Sequence, residues 1–177
     1  MKTDESKKKT HRNRNDLIGE HKTGDAGQAV FAIIFAVVWI ADSFFLNFST
    51  WLNDLVPNII RAPAGILVLI VAGLFARSGM NTVFNEVREK PEIIRKGVFG
   101  IVRHPVYLGE ILLYLGMLFI SMSVASAGIW ILIVLFLHYI ARYEEKLLTG
   151  HFGEEYRKYM EAVPMWIPKI SKLFTKP

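Results

Sequence analysis

Long apolar blocks alternate with short polar segments along the chain. Predominantly apolar runs occupy roughly residues 29–48, 62–76, 107–124 and 126–140. Because apolar residues fill these blocks instead of recurring at helical spacing, each block is suited to enter or cross a bilayer as a helix. The last two blocks lie near the lower length limit for a span and are predicted to form a tight hairpin. The pattern therefore predicts an all-α integral membrane bundle with about four transmembrane helices.

The polar segments set the predicted domain boundaries. Residues 1–28 are polar and basic and are predicted to form a disordered cytoplasmic arm, followed by a first transmembrane pair over residues 29–80. The triplet Arg77-Ser78-Gly79 is expected to end the second helix. Residues 81–177 would hold the chemistry, in a polar loop, the hairpin and, after Arg142, an amphipathic helix at the membrane interface. Its apolar positions at helical spacing are Leu147, Leu148, Phe152, Tyr156, Tyr159 and Met160.

Composition and charge agree with this architecture. Hydrophobic residues make up 52% of the chain, which is high for a soluble domain. The net charge of +5 would also suit nucleic acid, but the basic residues flank apolar blocks, and membrane topology explains them better. With four spans, 20 of the 21 Lys and Arg fall on one side and Arg61 alone on the other, which predicts a multi-pass protein with both termini in the cytoplasm. The absence of cysteine excludes disulfides and thiol catalysis.

The polar loop before the third block carries the most distinctive chemistry. Residues 97–109 bring together Arg103, His104, Pro105 and Tyr107 with three glycines. Pro105 disfavours the helical conformation for His104 and is itself suited to the first turn of a helix. The sequence thus predicts a helix N-terminus with Arg103 and His104 at its edge, which is a ready site for an anionic group.

A pair of acids, Glu144 and Glu145, closes the last apolar block. Two neighbouring carboxylates at a membrane surface repel each other, so they require a cation, which would be Arg103, Arg142 or a ligand. We therefore expect the polar loop and the acid pair to meet and to build a cofactor site at the membrane surface.

Other polar residues within the apolar blocks leave alternatives open. Tyr107, Glu110 and Tyr114 share one helix face, which is either a structural seam between helices or the wall of a pocket. Asp42 should face other helices or lie near an interface, and His138 is either a satisfied buried histidine or a catalyst. The sequence has no glycine-rich nucleotide fingerprint after a strand, no zinc-ligand spacing and no serine hydrolase triad.

The polar motifs together resemble a known family. Four stretches are similar to the isoprenylcysteine carboxyl methyltransferase and phospholipid methyltransferase family. They are the stretch from Gly97 through Arg103-His104-Pro105-Val106-Tyr107-Leu108-Gly109, the run Glu144-Glu145-Lys146-Leu147-Leu148, the later Phe152-Gly153-Glu154-Glu155-Tyr156-Arg157-Lys158-Tyr159, and Val163-Pro164 with Ile167-Pro168. The resemblance covers about residues 81–170. It implies an S-adenosylmethionine-dependent membrane enzyme whose cofactor is held by the C-terminal half at the cytoplasmic face, while a lipophilic acceptor enters from the bilayer.

The resemblance also assigns roles to residues. Glu144 would lie beside the reacting centre and, with Arg142, is the expected catalytic pair, and no metal is expected. The expected cofactor-binding residues are Glu92, Ile93, Ile94, Phe99, Arg103, His104, Pro105, Val106, Tyr107, Gly109 and Glu145.

Two departures from the family pattern bear on the acceptor. Phe99 replaces a usual tyrosine, and Ile140 replaces a usual arginine that the family associates with a prenylcysteine carboxylate. The tail over residues 150–168 nevertheless resembles the prenylcysteine branch, so we favour carboxyl O-methylation. Methylation of a lipid amine is the alternative, because the acids of the site suit an amine and a glutamate could accept its proton. Further alternatives are an NADPH-dependent membrane reductase and a non-catalytic membrane assembly factor.

Overall fold

The described chain is helical throughout. The computed structural model describes residues 24–84 and 91–168, so residues 1–23 of the predicted arm lie outside the described residues, whereas residues 24–28 are helical and belong to the first helix. Its main helices are α1 (Gly24–Ile40), α2 (Asn58–Phe84), α3 (Pro105–Ser121), α4 (Val124–Phe152) and α5 (Glu154–Ala162). No strand occurs in these two ranges, and the all-α prediction is confirmed.

Membrane insertion is supported by helix length and by the apolar surface. Within the described ranges, Gly24–Leu46, Asn58–Val83 and Val124–Phe152 are long and apolar enough to cross a bilayer. Their outer faces expose large apolar side chains, as at Ile33 and Leu74, which suit contact with lipid. Helix α3 has 17 residues, or about 25 Å, and falls short of the roughly 30 Å hydrocarbon core. The membrane bundle is confirmed, whereas the count of four spans and the cytoplasmic termini stay predictions.

Two predicted helix ends are wrong. Helix α2 continues past Gly79, because this glycine serves close packing and does not end the helix: a Cβ there would lie 2.8 Å from Cγ2 of Val106. The separate amphipathic helix also begins later than predicted. Helix α4 continues past Arg142 to Phe152 and is capped by Gly153, whose φ of +58° favours glycine, and the amphipathic helix α5, with Tyr156, Tyr159 and Met160, follows directly.

Glycines bring α2 and α3 into close contact. A Cβ on Gly109 would lie 2.9 Å from the Cβ of Ala76, and a Cβ on Gly116 would lie 2.7 Å from Leu69 and 3.1 Å from the carbonyl oxygen of Gly65. Small residues allow helix backbones to approach each other in this way inside a membrane. The contact fixes the position of α3, whose first residues carry the predicted site.

An aromatic and aliphatic core joins α3 to α1 and α4. Phe35 of α1 packs on Tyr114 of α3 with ring centroids 4.6 Å apart, and Ile133 and Leu137 of α4 complete the buried cluster with Leu118. The short helix α3 is thus enclosed by α2 on one side and by α1 and α4 on the other.

A buried acid fastens the end of the bundle opposite the predicted site. Asp42 accepts hydrogen bonds from the backbone N–H of Ser49 (2.9 Å), the hydroxyl of Ser49 (2.5 Å) and the hydroxyl of Ser123 (2.5 Å). Close by, the indole N–H of Trp39 donates to the hydroxyl of Ser121 at 2.9 Å. Asp42 therefore ties the end of α1 to the α3–α4 turn, which is a structural role.

Candidate active site

The N-terminus of α3 has the form that the proline predicts. His104 is the residue that precedes the helix, with a non-helical backbone (φ −122°, ψ 65°), and Pro105 occupies the first turn. The His104 ring is buried and stacks on Tyr107 with a centroid distance of 5.7 Å and an interplanar angle of 6°. The helix start thus presents two parallel aromatic rings at the edge of the bundle.

The acid pair of α4 meets this helix start. The Glu145 side chain is 4% exposed, and its Oε1 atom lies 2.6 Å from Nε of Arg103 and 3.3 Å from Nε2 of His104. Tyr107 donates its hydroxyl hydrogen to Oε1 of Glu144 at 2.5 Å. The other ring nitrogen of His104, Nδ1, lies 3.7 Å from Oε2 of Glu144. The structure therefore brings together the loop and the acid pair, with His104 between the two carboxylates.

Arg103 connects the acids to the segment that follows α5. Its Nη1 group donates to the carbonyls of Met160 (2.9 Å) and Val163 (2.5 Å), and its backbone N–H donates to the carbonyl of Pro164 (3.0 Å). Charge-assisted bonds of this kind are among the strongest in proteins. One guanidinium group therefore holds both Glu145 and the C-terminal segment in place.

The C-terminal segment covers the histidine. The Trp166 ring lies 5.8 Å from the His104 ring, and its indole N–H donates to Nδ1 of His138 on α4 at 3.2 Å. The sequence alone did not connect Trp166 with His138. The flanking prolines Pro164 and Pro168 were the available signal, because they favour an extended chain that can lie across the bundle.

Helix α5 packs against the loop that precedes α3 through two buried tyrosine side chains. Burial raises the pKa of both Tyr156 and Tyr159 above the usual value of about 10, so both stay protonated at neutral pH. The hydroxyl of Tyr159 donates to the carbonyl oxygen of Phe99 at 2.7 Å. These residues pack with Ile93 and Val163, so the predicted cofactor contact Ile93 belongs to this supporting cluster, and Phe99 is joined to it through its backbone carbonyl.

Three other predicted contact residues turn toward α2. Pro105 and Val106 both border Gly79, and a Cβ added to Gly109 would point at Ala76. Because a helix directs successive residues around its circumference, these positions face away from the acid pair on the opposite side of α3. Their side-chain positions are explained by helix packing, in contrast to those of His104 and Tyr107.

The remaining predicted residues lie at the edge of the site. The Arg142 side chain is 66% exposed, and its Nη1 atom lies 3.5 Å from Oε2 of Glu145. Glu92 is exposed, and Ile94 is partly buried in the extended segment that precedes the short 3₁₀ helix Gly97–Gly100. Arg142 thus reaches the rim of the acid pair but does not lie within it.

The fold and the site together define a helical membrane protein that gathers two carboxylates, an arginine and stacked aromatic rings at the start of a short, enclosed helix. A family model described as phospholipid methyltransferase matches residues 61–155, more than half of the chain, and the chain belongs to this family. The family suspected from the sequence is therefore confirmed.

A solved structure supports the fold. The eukaryotic intramembrane Ras methyltransferase, isoprenylcysteine carboxyl methyltransferase, is similar with a TM-score of 0.60 and 20% sequence identity, over 82% of this chain and 53% of that chain. The present chain thus spans about half the length of that protein. A comparison with curated proteins gave no significant match.

The residues of the site fit S-adenosylmethionine, the cofactor that methyltransferases of this family use in general. Oε2 of Glu145 is buried and makes no hydrogen bond, although Nη1 of Arg142 lies 3.5 Å away, so this oxygen could accept a hydrogen bond from the amino group of the cofactor or attract its cationic sulfur electrostatically. The rings of His104, Tyr107 and Trp166 offer apolar faces for an adenine ring or a cation. The described residues contain no cluster of three or more His, Asp or Glu that could hold a metal ion.

Proposed function

We propose that this membrane methyltransferase uses S-adenosylmethionine to methylate the amine of a lipophilic acceptor that enters from the bilayer. The observation that carries the proposal is the charge of the site. Two carboxylates, Glu144 and Glu145, line it, and the buried cation Arg103 is engaged by Glu145 and by two backbone carbonyls. A cationic headgroup complements such a site, whereas an anionic one would face repulsion.

The chain's own residues have distinct parts in this function. When bound, the cofactor supplies an electrophilic methyl group on a positively charged sulfur. Arg103 and His104 hold Glu145 in position, and the aromatic rings of Tyr107 and Trp166 flank the same space. Fixed alignment of the reacting groups makes a large contribution to the rate of a displacement reaction.

Glu144 is the residue best placed to act as the base. An ammonium headgroup must lose a proton before its nitrogen can attack, and a carboxylate within hydrogen-bond distance can accept that proton. The Glu144 side chain is 15% exposed, and the hydroxyl of Tyr107 orients one of its oxygens at 2.5 Å. The other oxygen faces His104, so both aromatic residues fix the direction of the carboxylate.

Carboxyl O-methylation of a prenylated cysteine is the second candidate, and one observation favours it. Arg142 is largely exposed at the rim, 3.5 Å from Glu145, so it is available to meet an anionic headgroup. We place this candidate second, although the sequence favoured it, because the position of the family's usual arginine is occupied by Ile140, which is 1% exposed in the bundle core. The family membership favours either methyl transfer over a reductase.

The deciding experiment uses the full chain in nanodiscs with radiolabelled S-adenosylmethionine. The protein is offered phosphatidylethanolamine or acetyl-farnesylcysteine, and base-labile methyl esters are separated from labelled lipid. We expect label in the aminolipid, and Glu144→Gln should lower that turnover at least tenfold while cofactor affinity, measured by calorimetry, changes less. Methyl ester on the prenylcysteine without labelled aminolipid would reverse the order of the two candidates.

A further inference from the structure

Glu110 is an acid within α3 that the proposed chemistry leaves unused. It lies in the second turn of the helix, three residues after Tyr107, and is partly buried. Among the described residues, its one hydrogen-bond partner is the hydroxyl of Tyr114 at 3.3 Å, and no Lys, Arg or His lies within 4 Å of its carboxylate. Within residues 24–84 and 91–168, Glu110 is therefore an acid in an apolar helix without a cation beside it.

Two other acids of the bundle have closer partners. Asp42 accepts three hydrogen bonds of 2.5–2.9 Å, and Oε1 of Glu145 lies 2.6 Å from Nε of Arg103, although its Oε2 makes no hydrogen bond. The Tyr114–Glu110 distance of 3.3 Å is long for a hydroxyl donor, for which about 2.7–2.8 Å is usual. An ionised acid within a membrane helix is costly, so a bound ligand that supplies a positive charge would stabilise the Glu110 carboxylate.

The helix register places Glu110 beside the site. Tyr107 on α3 contacts Glu144 on α4. About two helical turns further into the bundle, Tyr114 shares a core cluster with Leu137. These two pairs define an antiparallel register in which Glu110 lies at the level of Ala141, a small and fully buried residue. Three residues correspond to a rise of about 4.5 Å, so Glu110 lies about that much deeper than Glu144 along the bundle.

We propose that Glu110 is the specificity-determining residue for the acceptor and binds its ammonium group from the bilayer side. The inference rests on the proposed amine methylation. An ammonium placed between the two levels can donate one N–H to Glu110 and another to Glu144, and it retains the first when Glu144 takes the second proton. The apolar tail of the same acceptor can remain in the lipid, because Glu110 lies deeper along the bundle than Glu144. An uncharged or anionic headgroup would gain nothing from this carboxylate.

A purely structural role for Glu110 predicts a different result in mutants. If Glu110 only anchors the hydroxyl of Tyr114, then Tyr114→Phe should reproduce the effect of changing Glu110. If Glu110 binds the ammonium, its charge is what matters. Glu110→Gln keeps the size and an oxygen that can accept from Tyr114 but removes the charge, and Tyr114→Phe keeps the charge but removes the hydroxyl. The two variants therefore separate the roles.

The test measures steady-state methylation of phosphatidylethanolamine in nanodiscs at saturating S-adenosylmethionine. We expect Glu110→Gln to raise KM for the lipid at least tenfold, with kcat within threefold and with an unchanged calorimetric Kd for the cofactor. Tyr114→Phe should stay within threefold of wild type in KM. Glu110→Met, of similar volume, is the second variant should the glutamine variant be poorly folded, and retained cofactor affinity checks the fold of each.

Each outcome decides the matter. A wild-type KM in the Glu110 variants, or an equal defect in Tyr114→Phe, overturns the role of Glu110 while amine methylation stands. A wild-type protein that does not label the aminolipid overturns amine methylation itself, and the role of Glu110 with it.

Discussion

Replacing Gly109 by alanine tests whether the contact between α2 and α3 positions the active site. A Cβ at this position would lie 2.9 Å from the Cβ of Ala76, 2.9 Å from its backbone nitrogen and 3.0 Å from the carbonyl oxygen of Ala72. Ordinary contacts of a Cβ begin near 3.4 Å. Because two of the three atoms are backbone, no rotamer change relieves the overlap, and α3 must move away from α2 by roughly 0.5 Å or more.

The expected magnitude follows from two opposing effects. Alanine is favoured over glycine within a helix by about 1 kcal/mol, whereas overpacking a tight contact costs about 1–3 kcal/mol. With backbone atoms in the overlap, the upper part of that range applies, and we expect a net destabilisation of about 1–2 kcal/mol. For a chain of this size, that corresponds to a fall in Tm of roughly 2–8 °C.

Activity should fall as well, because α3 carries Tyr107 and the Tyr107–Glu144 hydrogen bond is 2.5 Å long. A displacement approaching 1 Å can cost up to about a hundredfold in rate, so a loss of about tenfold in kcat/KM is expected for Gly109→Ala. The matched control is Gly73→Ala in α2, where a Cβ would meet no atom within 4 Å, and whose Tm and activity should stay at or above those of wild type.

Thermal unfolding in detergent, followed by circular dichroism, and cofactor titration measure the two effects. The double variant Gly109→Ala with Ala76→Gly removes one of the three overlaps and should regain part of the lost Tm. A Gly109→Ala protein as stable as the Gly73→Ala control would refute the packing argument. Weaker cofactor binding without any change in Tm, and without rescue by the double variant, would instead return Gly109 to the role of a cofactor contact.

Two further substitutions test the connections around the site. Arg103→Lys keeps the charge but cannot reach Glu145 and both carbonyls at once, so we expect kcat/KM to fall at least tenfold and hydrogen exchange over residues 160–168 to accelerate; unchanged exchange would show that Arg103 does not hold that segment. Trp166→Phe removes the donor to His138, and we expect the fluorescence change on binding S-adenosylhomocysteine to be lost in this variant while wild type shows it; an equal change in both would place Trp166 outside the cofactor site.

The sequence could predict the helical bundle and the centre of the site because both depend on local rules. Apolar blocks of sufficient length indicate membrane helices whatever they pack against. The Arg103-His104-Pro105 run defines its own helix start through the steric effect of proline, and a repelling acid pair must find a cation. The contact between Arg103 and Glu145 follows from these two needs, although the residues are 42 positions apart.

The helix ends, the helix faces and the partner of Trp166 depend on packing between distant segments, which local sequence patterns do not reveal. Whether Gly79 ends a helix or admits a neighbouring one depends on the presence of Val106 opposite it. The face on which Gly109 lies depends on where α2 packs, and the partner of Trp166 depends on how the C-terminal segment crosses α4. The pattern of residues on α3 showed that Glu110 and Tyr114 share a face, but only the structure reveals how few groups satisfy Glu110.

The length of α4 explains why the acids suit a lipid headgroup. Glu144 lies 20 residues after Val124, where the helix begins, and at 1.5 Å per residue this separates them by about 30 Å. That distance equals the thickness of the hydrocarbon core, so a helix that starts at one interface delivers Glu144 to the other. Helix α3 starts at Pro105, next to His104 and near Glu144, so Glu110 in its second turn would lie a few ångströms deeper than Glu144. Under the proposed amine methylation, the headgroup ammonium would lie between Glu144 and Glu110, and the apolar tail would extend from there into the bilayer, which is the arrangement that an amphipathic acceptor requires.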